Sequence, residues 1–238
     1  HAGRPDVLRP LERRLVCGRA GGGARRMTPD EMRAWITGKL EPLDSCDPAR
    51  APPPISEFTL NPTLPKIDAF RPAAVLVPLV EHEAGVTVLL TRRADTLRSH
   101  TGQVAFPGGR MDEGETPWDA ALREAEEEIG LDRSHVAIAG LSSNYQTGSG
   151  YDITPVVAFV TPGFRLTPNP AEVADVFEAP FAFLMDPKNH ERQFREQADG
   201  LRRYFYAMPY EDQFIWGATA GMLRALYERL YGEPAESA

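Results

Sequence analysis

Glu124, Glu126, Glu127 and Glu128 fall within five consecutive positions of the stretch REAEEEIG, residues 123–130. On a helix, like charges three or four residues apart repel by about 0.2–0.5 kcal/mol per exposed pair, so the run is mildly unfavourable as bare surface. One reading is a solvated acidic face, the usual fate of a charge run. The other is a cation site. Hard divalent cations prefer oxygen ligands, and Mg²⁺ commonly takes one or two carboxylates together with waters and substrate phosphate oxygens.

The helix carrying these residues is well marked at both ends. Thr116, Pro117 and Asp119 supply a cap, a first-position proline and an acid at the third position, and Gly130 is suited to a left-handed stop, which predicts a helix from about 117 to 129. At roughly 100° per residue, Trp118, Ala121, Leu122, Ala125 and Ile129 form an apolar arc facing the core. Glu124, Glu127 and Glu128 gather on the neighbouring arc, and Glu126 falls on the opposite flank of the apolar stripe. Gly108, Gly109 and Gly114 precede the helix, either as turn formers or as places where backbone can approach an anionic ligand closely.

From Gly109 the text reads GRMDEGETPWDAALREAEEEIGL, and it resembles the Nudix box, GX5EX7REUXEEXGU with U apolar, at every fixed position. Ala125 is a small residue for the central apolar position. The resemblance implies an α/β fold of the Nudix type, an α/β/α sandwich with a mixed sheet. It implies Glu124, Glu127 and Glu128 as catalytic metal ligands for Mg²⁺ or Mn²⁺, with Glu115 and Arg123 as a structural ion pair fixing loop against helix. In such a site the metal neutralises phosphate charge, orients a diphosphate and lowers the pKa of an attacking water.

Directly upstream, LLTRRADTLRSHTGQVAFPGG, residues 89–109, resembles the signature of the coenzyme A pyrophosphatase branch, LLTXR(S/A)X3RX3GX3FPGG. SGYDITPVV (149–157) and IWGATA (215–220) are also similar to that branch, so the resemblance spans most of residues 70–231. It implies hydrolysis of coenzyme A or its derivatives to 4′-phosphopantetheine, or its acyl form, and adenosine 3′,5′-bisphosphate. Cleavage of ADP-ribose or another nucleoside diphosphate derivative is the alternative within the family, and a non-catalytic nucleotide-binding regulatory module is the alternative outside it. Arg93 and Arg98 are the candidate substrate-binding cations, with Gly108 and Gly109, because guanidinium grips phosphate with two hydrogen bonds. They can equally cover the sheet edge or pair with Asp95 and Asp112. His100 and Gly102 read mainly as loop residues, Phe106 and Trp216 as packing, and Tyr151 as lining the pocket mouth. Glu172 is the best acid outside the box, though a strand-start surface glutamate is its simpler reading, and the general base stays unassigned.

The elements that must position these groups follow from pattern. AAVLVPLV (73–80) and GVTVLLTRR (85–93) predict an antiparallel pair, and VAIAGLSSNY (136–145) and TPVVAFV (154–160) predict two more strands. EVADVFEAP and RRYFYAMPY continue the sheet, and residues 214–231 have the spacing of a closing amphipathic helix. Strands arriving both as hairpins and across helices predict a mixed sheet with helices on its faces. TPDEMRAWI begins a short helix at residues 28–36, and the proline-rich stretch 41–71 should wrap the domain without regular structure. The expected organisation is a disordered leader (1–26), a helix plus proline-rich wrap (27–70), the hydrolase domain (71–232) and a tail (233–238).

The chain has 238 residues, 42% of them hydrophobic and 25% charged, in keeping with a globular protein that buries a substantial core. A net charge of -8 argues against a broad nucleic-acid or anionic-membrane surface, and no run of about eighteen apolar residues predicts a span. The expected partner is a small molecule of the coenzyme A class, with no nucleic acid and no membrane. Cys17 and Cys46 form neither a metal-ligand spacing nor a disulfide framework, which points to a reducing, cytoplasmic setting. The leader carries seven arginines against two acids, but lacks the serines of a mitochondrial targeting segment.

Overall fold

The computed structural model of the chain describes residues 27–43, 56–95, 102–197 and 200–232. The expected leader and tail, and the middle of the proline-rich wrap, lie outside them.

Helix α1, Pro29–Thr37, starts on a complete capping box: Thr28 Oγ1 accepts from the Glu31 N–H at 3.2 Å, and Glu31 accepts from the Thr28 N–H at 2.9 Å. A second short helix, α2 (Glu57–Leu60), capped by Ser56, corrects the expectation that residues 41–71 lack regular structure. A local side-chain cap is enough to close one turn between prolines.

The central sheet is built from β1 (Arg71–His82), β2 (Gly85–Arg93), β3 (Val104–Ala105), β4 (Gly108–Arg110), β5 (Val136–Leu141), β6 (Tyr145–Gln146), β7 (Tyr151–Val160) and β8 (Val173–Pro180). Its path is β3-β2-β1-β7-β5, with β4 on β1, β6 on β7 and β8 on β2. β1 and β7 run parallel while every other pairing is antiparallel, so the sheet is mixed. Residues 73–80 of β1 are all buried, because both faces of this central strand are covered, and that is why its sequence is continuously apolar rather than alternating.

One face packs on α3 (Pro117–Ile129) through Ala74, Leu76, Val156 and Ala158 against Ala121, Ala125 and Ile129. The small Ala125 lets the helix approach the sheet closely. The other face packs Val75, Val77, Leu79 and Val157 toward α1, the short α4 (Phe181–Leu184) and α5 (Gly217–Tyr231). Helices therefore cover both faces, as an α/β/α arrangement requires. Each fully buried Leu, Ile or Val contributes about 1.5–3 kcal/mol of transfer free energy to this core.

Several elements differ from the sequence reading. RRYFYAMPY, as β10 (Arg202–Tyr210), leaves the central sheet and joins β9 (Glu191–Glu196) and β11 (Gln213–Trp216) in a separate antiparallel sheet. The expected strand 136–145 breaks at residues 142–144: Ser142 N–H donates to Pro155 O at 2.9 Å, but Pro155 has no N–H to return. The closing helix starts at Gly217, not at 214. Trp216 is still extended, and Gly217 makes the turn with φ 64°, a conformation natural to glycine. Trp216 is correspondingly half-buried rather than core, and α5 is enclosed over most of its circumference.

Candidate active site

α3 sits where the sequence signals place it. Thr116 Oγ1 accepts from the Asp119 N–H at 3.2 Å, Pro117 opens the first turn, and Gly130 closes the helix with φ 67°. Its polar edge faces β4, so the glutamates meet the backbone of the FPGG turn.

Glu128 is 4% exposed, and its Oε2 accepts from the Gly108 N–H at 3.3 Å. Burial pushes its pKa up to about 7, with the Glu124 and Glu172 charges adding to the shift and the Gly108 N–H and Arg93 opposing it. Glu124 lies beside it. Burial raises this carboxyl too, Arg123 opposes, and the Glu127 and Glu172 charges add to the rise. Glu127 leaves the site: its side chain is 59% exposed and, among the described residues, reaches only Arg123, at 3.5 Å. Glu126 points the other way, 56% exposed and paired with Arg133 at 3.1 Å.

Arg123 organises the loop. Its Nε and Nη2 donate to the two oxygens of Glu115 at 2.9 and 3.0 Å, Nη2 also reaches Arg110 O at 3.1 Å, and Nη1 donates to Glu124 Oε1 at 2.9 Å. The bidentate hydrogen bonds from Arg123 hold the Glu115 carboxyl below its usual range. One guanidinium thus fastens box loop, β4 and helix together.

The glycines are sterically required here. A Cβ at Gly109 would collide with the Glu124 carboxylate, and one at Gly108 with the backbone of Ala74 and Val75. Gly114, with φ 81° and open space around it, serves the turn alone. Opposite the helix, Arg93 ends β2 near enough to stabilise the Glu128 carboxylate, and its buried Nε has no hydrogen-bond partner among the described residues. Arg98 and His100 lie outside the described residues. Gly102 takes φ 66° in the loop before β3, and Phe106 is buried in the core. Tyr151 opens β7, its hydroxyl accepting from Arg110 at 3.1 and 3.2 Å with Arg71 stacked 4.0 Å over its ring.

Among the described residues, no three acidic, imidazole or thiolate groups stand together as a ready-made cation cage. The reason is visible in the contacts: Arg123 holds Glu124 and draws Glu127 outward, while Glu128 turns in toward Gly108. The donor set nevertheless fits a hard cation, since two carboxyls on this edge are raised by burial and by the charge of neighbouring carboxylates, a condition a bound divalent ion relieves.

Glu172 was underweighted in the sequence. It is half-buried just before β8, and its charge bears on both Glu124 and Glu128. The available signal was Asn-Pro-Ala-Glu, an asparagine three residues before an acid, a spacing that closes a local turn around a side chain.

The NUDIX domain family model matches residues 69–200. The chain belongs to the Nudix family. A protein of Photorhabdus laumondii named "Uncharacterized Nudix hydrolase NudL" is 40% identical over 181 residues, covering 74% of this chain and 95% of that one. Its namesake from Pectobacterium atrosepticum is 38% identical over 184 residues, covering 75% and 92%. This chain is accordingly a Nudix hydrolase. Among solved structures, the Nudix hydrolase RenU from M. smegmatis superposes with a TM-score of 0.45 at 22% identity over 70% of this chain and 86% of its own. The C. elegans Ap4A hydrolase binary complex gives 0.41 at 20% identity over 46% and 80%.

Proposed function

We propose that this Nudix hydrolase cleaves the diphosphate of coenzyme A or its derivatives, releasing 4′-phosphopantetheine, or its acyl form, and adenosine 3′,5′-bisphosphate. The observation that carries the reading is the juxtaposition, at the Gly108–Gly109 backbone, of two crowded carboxylates and an arginine whose buried Nε has no hydrogen-bond partner among the described residues. Carboxylates alone would repel a diphosphate. Together with a divalent cation, Mg²⁺ or Mn²⁺, they bind one, and the guanidinium then takes the remaining phosphate charge.

Glu124, Glu127 and Glu128 would hold the cation, Glu127 turning inward from Arg123 to do so. When bound, the cation supplies charge neutralisation at phosphorus and acidifies the attacking water. The protein does the rest. Gly109 lets Glu124 lie flat against β4, Glu115 and Arg123 keep the loop seated, and Arg93 orients the diphosphate from the strand side. The coenzyme A assignment is supported by the 89–109 motif, whose Arg93 ends β2 beside Glu128 and whose FPGG forms the turn under the helix.

The test is incubation of purified protein with coenzyme A and Mg²⁺ or Mn²⁺, followed by separation of products. Appearance of 4′-phosphopantetheine and adenosine 3′,5′-bisphosphate is expected. Intact coenzyme A at high enzyme, with turnover of ADP-ribose under the same conditions, would move the substrate to the nucleoside diphosphate derivatives. Tight coenzyme A binding without turnover under any divalent metal would make the chain a binding module.

A further inference from the structure

Arg71, Arg110 and Tyr151 meet at one end of the central sheet. β1 and β7 run in parallel register with Arg71 opposite Tyr151, and β4 lies antiparallel to β1 with Arg110 opposite Ala73. Residues two apart on a strand, and residues directly opposite one another, share a face, so the three side chains stand on the same side of the sheet. That side is the one away from α3, because Gly109, the residue before Arg110, is the one that presses on the Glu124 carboxylate. The strand that brings Gly109 to the box helix therefore sends its next side chain to the opposite face.

The Tyr151 ring gathers both cations. The Arg71 and Arg110 guanidinium carbons lie 4.0 and 5.7 Å from its centroid, and Arg110 Nε and Nη2 donate to its hydroxyl at 3.2 and 3.1 Å. Arg71 is fixed to the turn before β7, its Nη2 donating to Ser149 O and its backbone N–H to Gly150 O, both at 2.9 Å. Among the described residues neither arginine has a carboxylate partner, whereas Arg33, Arg133, Arg203 and Arg229 each pair with a glutamate. Asp152, next along β7, is on the other face and accepts from Asn144 Nδ2 at 3.2 Å. The Tyr151 oxygen receives Arg110, and its own O–H has no acceptor among the described residues. What the cluster has to spare is therefore all donor: two exposed guanidinium forks, whose like charges repel, and one phenol.

We propose that Arg71, Arg110 and the Tyr151 hydroxyl form a second anion site, separate from the carboxylates and Arg93, that takes a phosphate monoester. A phosphate dianion matches two guanidinium charges, and its oxygens can accept from both forks and from the phenol, whereas a carboxylate brings one charge and two oxygens. The phosphate is either a group of the substrate outside the cleaved diphosphate or free phosphate. The first source is favoured by position, since Arg110 follows Gly109 directly and its carbonyl accepts from Arg123 Nη2 at 3.1 Å. The claim rests on the hydrolase reading only for that source. A cluster that merely braced the turn before β7 would be indifferent to phosphate.

Broadening of the phosphorus NMR line of inorganic phosphate by the full chain in EDTA, where carboxylates without a cation repel phosphate, reads this site without turnover. Arg71→Gln and Arg110→Gln should each weaken phosphate affinity by about five- to twentyfold, and Tyr151→Phe by about two- to fivefold. Arg202→Gln, which removes the same charge from an exposed position on β10, should bind as the parent does. Equal affinity in the parent, Arg71→Gln and Arg110→Gln, or an equal loss in Arg202→Gln, would overturn the proposal. Should one of the two arginine variants fail to fold, the other decides. Calorimetric titration with adenosine 3′,5′-bisphosphate and adenosine 5′-monophosphate assigns the source. Tighter binding of the bisphosphate by about tenfold, erased in Arg110→Gln, marks a phosphate of the substrate. Equal affinity for the two nucleotides, with inorganic phosphate still lost in the variants, marks free phosphate. Coenzyme A hydrolysed by the parent while phosphate binds alike in every variant would remove this site and leave the substrate reading; intact coenzyme A with phosphate binding lost in the variants would do the reverse.

Discussion

Glu126 and Glu128 are two residues apart on one helix and live in opposite surroundings. Glu126 is solvated and paired with Arg133, while Glu128 is buried against the Gly108 N–H with its pKa pushed up to about 7. Glu127→Gln and Glu128→Gln should therefore cut metal-dependent turnover by about a hundredfold or more, since an amide keeps the shape but loses the charge that holds a cation. Glu126→Gln should stay within a few-fold of the parent. The burial of Glu128 also removes this residue from the solvated-face reading of the charge run. In EDTA, the thermal midpoint of Glu128→Gln should equal or exceed that of the parent, because a carboxylate desolvated without full compensation is replaced by a neutral group. Arg93→Ala is expected to lower kcat/KM by about 10–100-fold, the range spanned by about 1.5–3 kcal/mol for a lost charge-assisted phosphate contact. A steady-state series on the three glutamine variants and Arg93→Ala reads all of this.

At the scale of elements, the site is the meeting of one helix with one turn. Gly109→Ala puts a methyl where the Glu124 carboxylate lies, so kcat/KM should fall about tenfold or more while far-UV circular dichroism stays parental. Away from the site, His190 Nε2 donates to Leu184 O at 2.7 Å, with its ring edge-on to Tyr227, and burial together with Arg224 lowers its pKa while the Leu184 carbonyl and Asp186 oppose the shift. A histidine depressed in the folded state charges more readily when unfolded. Its contribution to stability is therefore present above about pH 6.5 and lost as pH falls through that value toward the folded pKa. Denaturant midpoints measured from about pH 7.5 to about pH 5.5 should fall less steeply in His190→Gln than in the parent. The box helix was legible because Thr116, Pro117 and Gly130 are local signals that tertiary packing had no reason to override. The β9–β11 sheet was not, since Glu191–Glu196 is charged and mostly exposed, with no apolar alternation to read, and only pairing with β10 makes it a strand. Glu172 escaped for a different reason: it lies more than forty residues along the chain from Glu124 and Glu128, and its charge bears on them only because the segment between β7 and β8 folds back over the helix end, which spacing cannot encode.

For the molecule as a whole, a net charge of -8 means that an anionic substrate is met by mostly unfavourable long-range charge, so attraction has to be local, from Arg93 and from a cation at the carboxylates. No helix among the described residues is long and apolar enough to cross a membrane. The mixed sheet, covered on both faces, gives α3 and the FPGG turn a rigid base, which a site built from one helix edge and one glycine turn requires. The central claim is that this base carries a cation-dependent coenzyme A diphosphatase. Its most direct test is chromatographic separation of products from coenzyme A incubated with Mn²⁺ and, in parallel, the parent, Glu128→Gln or Glu126→Gln. The account predicts 4′-phosphopantetheine and adenosine 3′,5′-bisphosphate from the parent and Glu126→Gln, none above background from Glu128→Gln, and none from any of them in EDTA. Intact coenzyme A with the parent, or equal product from all three proteins, would contradict it.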